Sequence, residues 1–383
     1  MALKVSKRSE IAPFIVMEVL RAANEREAAQ GDVLHLEVGQ PGTGAPQGVI
    51  EAVRQAVGEG ALGYTEALGL PALRRRIAGH YRERYGVALP PERVAVTTGS
   101  SAGFLLAFLA AFDPGDRVLL TDPSYPCYRN ILAALGVTPV HVPVGPETGF
   151  QPTPDILDRV EGPIAGLVVA SPSNPTGSML DADALGALAE HCRARGVRLI
   201  SDEIYHGITY GRPAATALAR TDDAVVINSF SKYFAMTGWR IGWMVLPPEL
   251  VAPVERLAQN LFISAPTVSQ VAALAAFDCR DELDANVARY ARNRALLLDA
   301  LPRAGIDRFA PADGAFYLYA DVGHLTNDSE AFCRRMLAET GVAATPGVDF
   351  DTGRGSRYMR FSFAGTTDDV AEAAERIRRW LRG

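Results

Sequence analysis

Short runs of apolar, often β-branched residues recur along the chain, separated by stretches with helical patterning, and this constrains the fold more than any other feature. Val94–Thr98 precedes a helical stretch from Ser100 to Phe112, Arg117–Thr121 precedes Tyr125–Leu135, and Ala165–Ala170 precedes Asp181–Arg195. Val137–Val142, Val197–Ser201, Val225–Ser229 and Arg240–Leu246 complete the set. A run such as Gly166-Leu167-Val168-Val169 has no polar face to offer water, so it belongs in a sheet covered on both sides. Strands spaced by helices of this length predict an α/β fold with a mostly parallel sheet flanked by helices. From about Asp281 the pattern changes to a long charged helix, the run Phe316–Ala320, a helix around Ser329–Glu339, the strand Tyr358–Phe363 and a terminal helix from Thr367. That predicts a smaller α+β domain over 283–383, with 1–43 as an arm that joins it and 44–282 as the large domain.

Polar clusters fall where the predicted strands end. They are Thr98-Gly99-Ser100-Ser101, Asp122-Pro123-Ser124-Tyr125, Ser171–Gly177, Asp202-Glu203-Ile204-Tyr205 and Ser229-Phe230-Ser231-Lys232. Ligands of open parallel sheets bind beyond the carboxyl ends of the strands, so five such clusters converge on one site. One of them carries an unusual residue. Of 38 basic residues only Lys4, Lys7 and Lys232 are Lys, and Lys232 alone lies outside the N-terminal arm. Arg stays protonated, whereas Lys can lose its proton and act as an amine nucleophile.

The remaining composition excludes several classes. A net charge of −6 without a basic patch argues against nucleic acid and anionic membranes as partners. Cys127, Cys192, Cys279 and Cys333 form no CxxC, and the histidines, His35, His206 and His324 among them, show no metal-ligand spacing, so no metal site is expected. The apolar run Ile11–Leu20 is broken by Glu18 and lacks a cleavage signature, which predicts a cytoplasmic protein.

The run Asn228-Ser229-Phe230-Ser231-Lys232-Tyr233-Phe234-Ala235-Met236-Thr237-Gly238-Trp239-Arg240-Ile241-Gly242 closely resembles the lysine signature of class I/II aminotransferases. Ser171–Gly177, Asp202–Tyr205, Tyr64-Thr65-Glu66 and Arg360-Phe361-Ser362 extend the resemblance, in the family's order, over nearly the whole chain. It implies fold type I and pyridoxal 5′-phosphate (PLP) as cofactor. An amino group would pass between an L-amino acid and a 2-oxo acid through an aldimine at Lys232. By the same resemblance Asp202 would pair with the pyridine nitrogen, keeping the ring an electron sink. Tyr205 and Asn174 would bond the cofactor's phenolic oxygen, and Tyr125 would stack on its ring. Gly99, Ser100, Ser101, Ser229, Ser231 and Arg240 would hold the phosphate, the first three at a helix start. Tyr64 would reach the phosphate of a neighbouring subunit, making the protein a homodimer with shared sites. Arg360 would bind the substrate carboxylate as a fork, with Gly39 beside it, and a structural ion pair is the other reading of that buried Arg.

A PLP-dependent β-lyase or decarboxylase shares this apparatus and is the nearest alternative. Gly99-Ser100-Ser101-Ala102-Gly103 also matches the GxSxG elbow of serine hydrolases, with Ser101, Asp202 and His324 as a triad, but that reading leaves Lys232, Asn174 and Arg360 without a task. A dinucleotide motif at Gly42-Thr43-Gly44 fails because Gln47 stands at the third glycine, and the chain before the first strand is too short for a DNA-binding module. Ser101 stands where aspartate-using relatives place a Lys, which puts aspartate in doubt as donor.

Overall fold

The computed structural model describes residues 3–60 and 62–382; positions 1, 2, 61 and 383 of the expected domains lie outside the described residues. The strands in chain order are β1 (Leu34–His35), β2 (Val94–Thr97), β3 (Arg117–Asp122), β4 (Thr138–Pro143), β5 (Gly166–Ala170), β6 (Arg198–Asp202), β7 (Val225–Ser229), β8 (Gly242–Val245), β9 (Tyr317–Asp321), β10 (Val342–Ala343), β11 (Thr345–Pro346) and β12 (Tyr358–Ser362). Seven of them form one sheet in the order β2-β8-β7-β6-β5-β3-β4. β3 to β7 run parallel, and β8 is antiparallel to both of its neighbours, β2 and β7.

Alternate residues of these strands feed two separate cores. Leu119, Leu167, Val169, Leu199 and Val226 point to one side, and Val118, Leu120, Val168, Ile200 and Ile227 to the other. Period-two alternation with both faces apolar is what the continuous hydrophobic runs encode. Each such side chain contributes roughly 1.5–3 kcal/mol on burial, so an exposed face would forfeit much of the sheet's stability. Helices follow the strands closely. Helix Ala182–Ala194 starts on Asp181, whose carboxylate accepts the Asp183 and Ala184 N–H groups at 3.1 and 2.8 Å. Helix Pro126–Leu135 begins on Pro126 and ends at Gly136 in the left-handed region, φ +81°.

Two small sheets lie outside this layer. β9, β12 and β11 form an antiparallel sheet in the order β11-β12-β9, and β1 pairs in parallel with β10. The chain before the large sheet is tied to them, since the Ser362 N–H donates to Leu36 O at 2.7 Å. Helix Ile15–Gln30 starts against Asp349, whose carboxylate accepts the Ile15 and Val16 N–H groups at 3.2 and 3.1 Å. The Arg280–Arg303 helix leads into the three-stranded sheet, and helix Thr367–Arg382 packs along it.

Candidate active site

Register sets the site. Gly242 at the start of β8 is level with Thr97 at the end of β2 and Ser229 at the end of β7. Three chain-distant segments therefore meet at one sheet edge. Gly99 (φ +72°) opens helix Gly99–Ala111 there, and a Cβ on it would fall 2.5 Å from Arg240 Nη2. Only glycine fits beneath that guanidinium. Ser100 and Ser101 follow in the first helical turn, with Ser101 exposed. Ser229 is buried, its Oγ accepting the Ser231 N–H at 3.0 Å. The segment thus presents helix N–H groups, hydroxyls and a guanidinium together, a donor set suited to an anion.

Asp202 ends β6, 3 % exposed. Its Oδ1 accepts the Ile204 N–H at 3.1 Å and its Oδ2 accepts the Tyr128 phenol, yet no cationic side chain forms a salt bridge with it among the described residues. Burial pushes its pKa up to about 6 against the lowering pull of those bonds and of Lys232. Lys232 Nζ donates to Gly39 O at 2.6 Å. Burial, then Arg360 and Arg240, push its pKa down to about 8, with Asp202 opposing.

Tyr205 and Tyr317 share a hydrogen bond between hydroxyls at 2.7 Å. Tyr317 also lies against Gly39, where a Cβ would fall 1.7 Å from its hydroxyl. Arg360, on β12, is 2 % exposed, with its guanidinium carbon 4.4 Å from the Tyr317 ring centroid and 4.7 Å from that of Phe350. Nη1 donates to Asn174 Oδ1 at 2.8 Å, and Nη2 donates to Glu37 O and to Thr345 Oγ1. All three acceptors are neutral. The ion-pair alternative for Arg360 therefore fails, because no carboxylate is paired with it among the described residues.

Tyr125 is half-buried, edge-on to Phe14 and to Tyr128 at centroid distances of 5.7 and 5.4 Å. The structure thus brings together Lys232, Asp202, Tyr205, Asn174, Arg360 and Gly39, and separately Gly99, Ser100, Ser229, Ser231 and Arg240 at the adjoining edge. Tyr64 stands apart on the surface, 84 % exposed. Sequence reasoning missed Tyr128, Tyr317 and Thr345. Tyr128 lies three residues after Tyr125, which precedes the helix, and that spacing in the expected helical stretch was the one available signal.

Comparisons with known proteins give the family. The sequence model of the family described as aminotransferase class I and II matches residues 31–377. This chain belongs to the class I and II aminotransferases. It is 53 % identical over 382 residues to the valine–pyruvate aminotransferase of Mycobacterium tuberculosis, covering 99 % of this chain and 98 % of that protein. A crystal structure of an aminotransferase from Mycobacterium tuberculosis superposes with a TM-score of 0.98 at 52 % identity, covering 100 % of both chains. The aspartate aminotransferase of Thermus thermophilus, solved with maleate, superposes at 0.93 with 32 % identity, covering 99 % of this chain and 100 % of that one. The protein is an aminotransferase of the α/β architecture that its strand pattern predicted. The serine-hydrolase alternative is overturned: His324 Nε2 donates to Gly305 O at 2.7 Å, and Asp202 bonds Tyr128 rather than a histidine. No helix among the described residues is long and apolar enough to cross a membrane, and they hold no cluster suited to a metal ion.

Proposed function

We propose that this aminotransferase holds PLP on Lys232 and moves an amino group from a neutral apolar amino acid, valine foremost, to pyruvate. One observation carries the reading. Two buried charges of opposite sign, Asp202 and Arg360, act on the Lys232 amine, and neither forms a salt bridge among the described residues. Unpaired buried charges are costly, so both are expected to meet their partners in bound molecules. A pyridine nitrogen answers Asp202 and a substrate carboxylate answers Arg360. The donors at the edge of β2, β7 and β8 answer a phosphate. These residues fit PLP, which when bound makes the substrate's Cα–H bond acidic by withdrawing electrons.

The chain's own groups divide the remaining work. Asp202 holds a proton at the pyridine nitrogen, and Tyr128 fixes its carboxylate. Ser100, Ser101, Ser229, Ser231 and Arg240 would bind the cofactor's phosphate. Tyr205 and Asn174 would bond its phenolic oxygen, and Tyr125 would pack against its ring. Arg360 orients the amino acid so that its Cα proton points at Lys232. With its pKa near 8, Lys232 is within reach of its neutral form, and Nζ takes that proton.

The donor assignment rests on charge. Ser101, a neutral hydroxyl, stands where aspartate-using relatives place a Lys, so it offers a distal carboxylate no charge. The valine–pyruvate activity of the 53 % identical relative supports the same donor and acceptor. We further assign the enzyme to cytoplasmic amino-acid metabolism as a homodimer in which exposed Tyr64 reaches the partner's phosphate. Residues 44–282 form its cofactor-binding unit, and 1–43 with 283–383 its smaller one. Borohydride reduction of the yellow protein should fix PLP to the Lys232 peptide, and single-turnover absorbance should show valine reacting faster than aspartate. An adduct at Lys4 or Lys7, or none after reconstitution, overturns the site; aspartate matching valine overturns the donor.

A further inference from the structure

The backbone from Leu36 to Gly39 touches both ends of the site. Glu37 O accepts from Arg360 Nη2 and, at 2.9 Å, from Thr345 Oγ1, while Gly39 O accepts from Lys232 Nζ. The Glu37 side chain turns away from the site, and none of the roles above uses it. It is 0 % exposed, and its Oε1 accepts from His35 Nδ1 at 2.7 Å while Oε2 has no partner among the described residues. His35, the last residue of β1, is one-third exposed, at the wall of a cavity of about 510 Å³ that also reaches Leu20, Val38 and Val370. A fully buried carboxylate held by one histidine is a costly arrangement for a mere surface strand.

We propose that His35 and Glu37 are positioning residues for substrate carboxylate binding: their contact fixes the backbone whose carbonyl aims the Arg360 guanidinium. The inference rests on the assignment of Arg360 to the carboxylate. Each carbonyl from Leu36 to Gly39 has a fixed direction once Glu37 is pinned, and Glu37 O supplies an acceptor that Arg360 Nη2 cannot replace with water at that depth. If the Glu37 side chain relaxes, that acceptor turns and the guanidinium loses its orientation.

A pH dependence follows. The charged groups around His35 are Glu37 in the bend that follows β1, Glu27 at 3.6 Å from helix Ile15–Gln30, and Asp369 across the cavity from helix Thr367–Arg382. Arg376 of that helix is occupied by Asp32 and Glu372, and Val342 and Ala343 of the paired strand bring no charge. The hydrogen bond to Glu37, then the charges of Glu37 and Glu27, raise the His35 pKa against desolvation. His35 is therefore charged below that pKa and loses its charge as pH rises through it, weakening its hold on Glu37, so carboxylate binding should weaken in that direction.

The test uses the PLP-loaded enzyme and isovalerate, a carboxylate that cannot react, with Kd read by calorimetry from about pH 6 to about pH 8, across the ordinary histidine range. Wild type should weaken across that range by about 3- to 10-fold, the size of one net hydrogen bond. His35→Asn keeps a donor to Glu37 without titrating, so its Kd should vary less with pH. Glu37→Gln should bind isovalerate weakly at every pH, with KM for valine raised and kcat nearly unchanged. Isobutylamine, which lacks the carboxylate, should react equally with all three. Parallel pH curves for wild type and His35→Asn overturn the proposal, and if Glu37→Gln does not fold, the His35 comparison decides alone. If Arg360→Ala also binds isovalerate as wild type does, the carboxylate site itself is wrong; if only the His35 and Glu37 variants behave as wild type, this inference alone falls.

Discussion

Replacing Arg360 by alanine is the sharpest challenge to the site. Its guanidinium is almost fully enclosed between Tyr317 and Phe350, held by three neutral acceptors, and its Nε is buried without a partner. A carboxylate arriving there gives it a directly bonded anion, which the described residues do not, in surroundings that exclude water. Removing one member of such a desolvated, hydrogen-bonded pair costs roughly 2–5 kcal/mol, which is about 30- to 4,000-fold in kcat/KM. Asn174 Oδ1 and Thr345 Oγ1 also lose their donor, and Glu37 O keeps only Thr345 Oγ1, which pushes the loss toward the upper half of that range. Arg360→Lys keeps the charge but cannot serve these directions at once, so it should fall between wild type and alanine. The assay is single-turnover amino transfer from valine, followed by cofactor absorbance, with isobutylamine as a donor that has no carboxylate. Both variants should retain PLP, and the isobutylamine rate should barely change. An unaltered valine rate in Arg360→Ala refutes the reasoning. So does an equal loss with both donors, which would mean a general collapse of the site.

Three further outcomes are expected. In Tyr128→Phe the ionised form of Asp202 loses a hydrogen bond, so its pKa should climb from about 6 by about one unit and the acid limb of PLP affinity should move up with it; an unmoved limb in Kd-against-pH titrations counts against the contact. Burial raises Glu203 to about 7 although Ser201, Thr216 and the Ala217 N–H all bond its Oε1, so the folded state holds a proton there that the unfolded chain releases near pH 4.5. Stability from this group is present at low pH and lost as pH rises through about 7, so Glu203→Gln should flatten that slope by up to about 3 kcal/mol in denaturant unfolding, and an unchanged slope would contradict the assignment. Mixed dimers of Tyr64→Ala and Lys232→Ala chains should regain one working site from two inactive parents; no recovery rules out the shared phosphate.

The sheet was legible because its strands carry their burial in consecutive residues. Val225–Ser229 matches its observed limits, and the other strands of the large sheet fall within one or two residues, since turn residues such as Asp113-Pro114-Gly115 mark the boundaries. Helices Gln47–Glu59, Pro71–Tyr85, Pro248–Leu261 and Thr267–Ala276 went unread. Pro71–Tyr85 is crowded with arginine and Thr267–Ala276 has almost no polar face, so neither shows a clean apolar stripe. β1 and β10 are two residues each and exist only because each finds the other, a contact that no local pattern announces. The same holds inside the site. Lys232 and Arg360 were marked by residue type and context, whereas Tyr317 looked like any strand aromatic until its hydroxyl met Tyr205.

The reversed strand β8 has a consequence for how this protein comes into being. Because β8 runs against its neighbours, its first residue, not its last, lies beside the ends of β2 and β7, and Arg240 sits over Gly99 from 141 positions further along the chain. The anion cup cannot exist in a growing polypeptide until the chain has emerged past Gly242 and the last strand has slotted between two already made. Among the described residues β2 pairs with no strand but β8, so the apolar edge that β8 will cover waits open during synthesis. A cofactor bound at that cup would act as a latch on the last pairing to form.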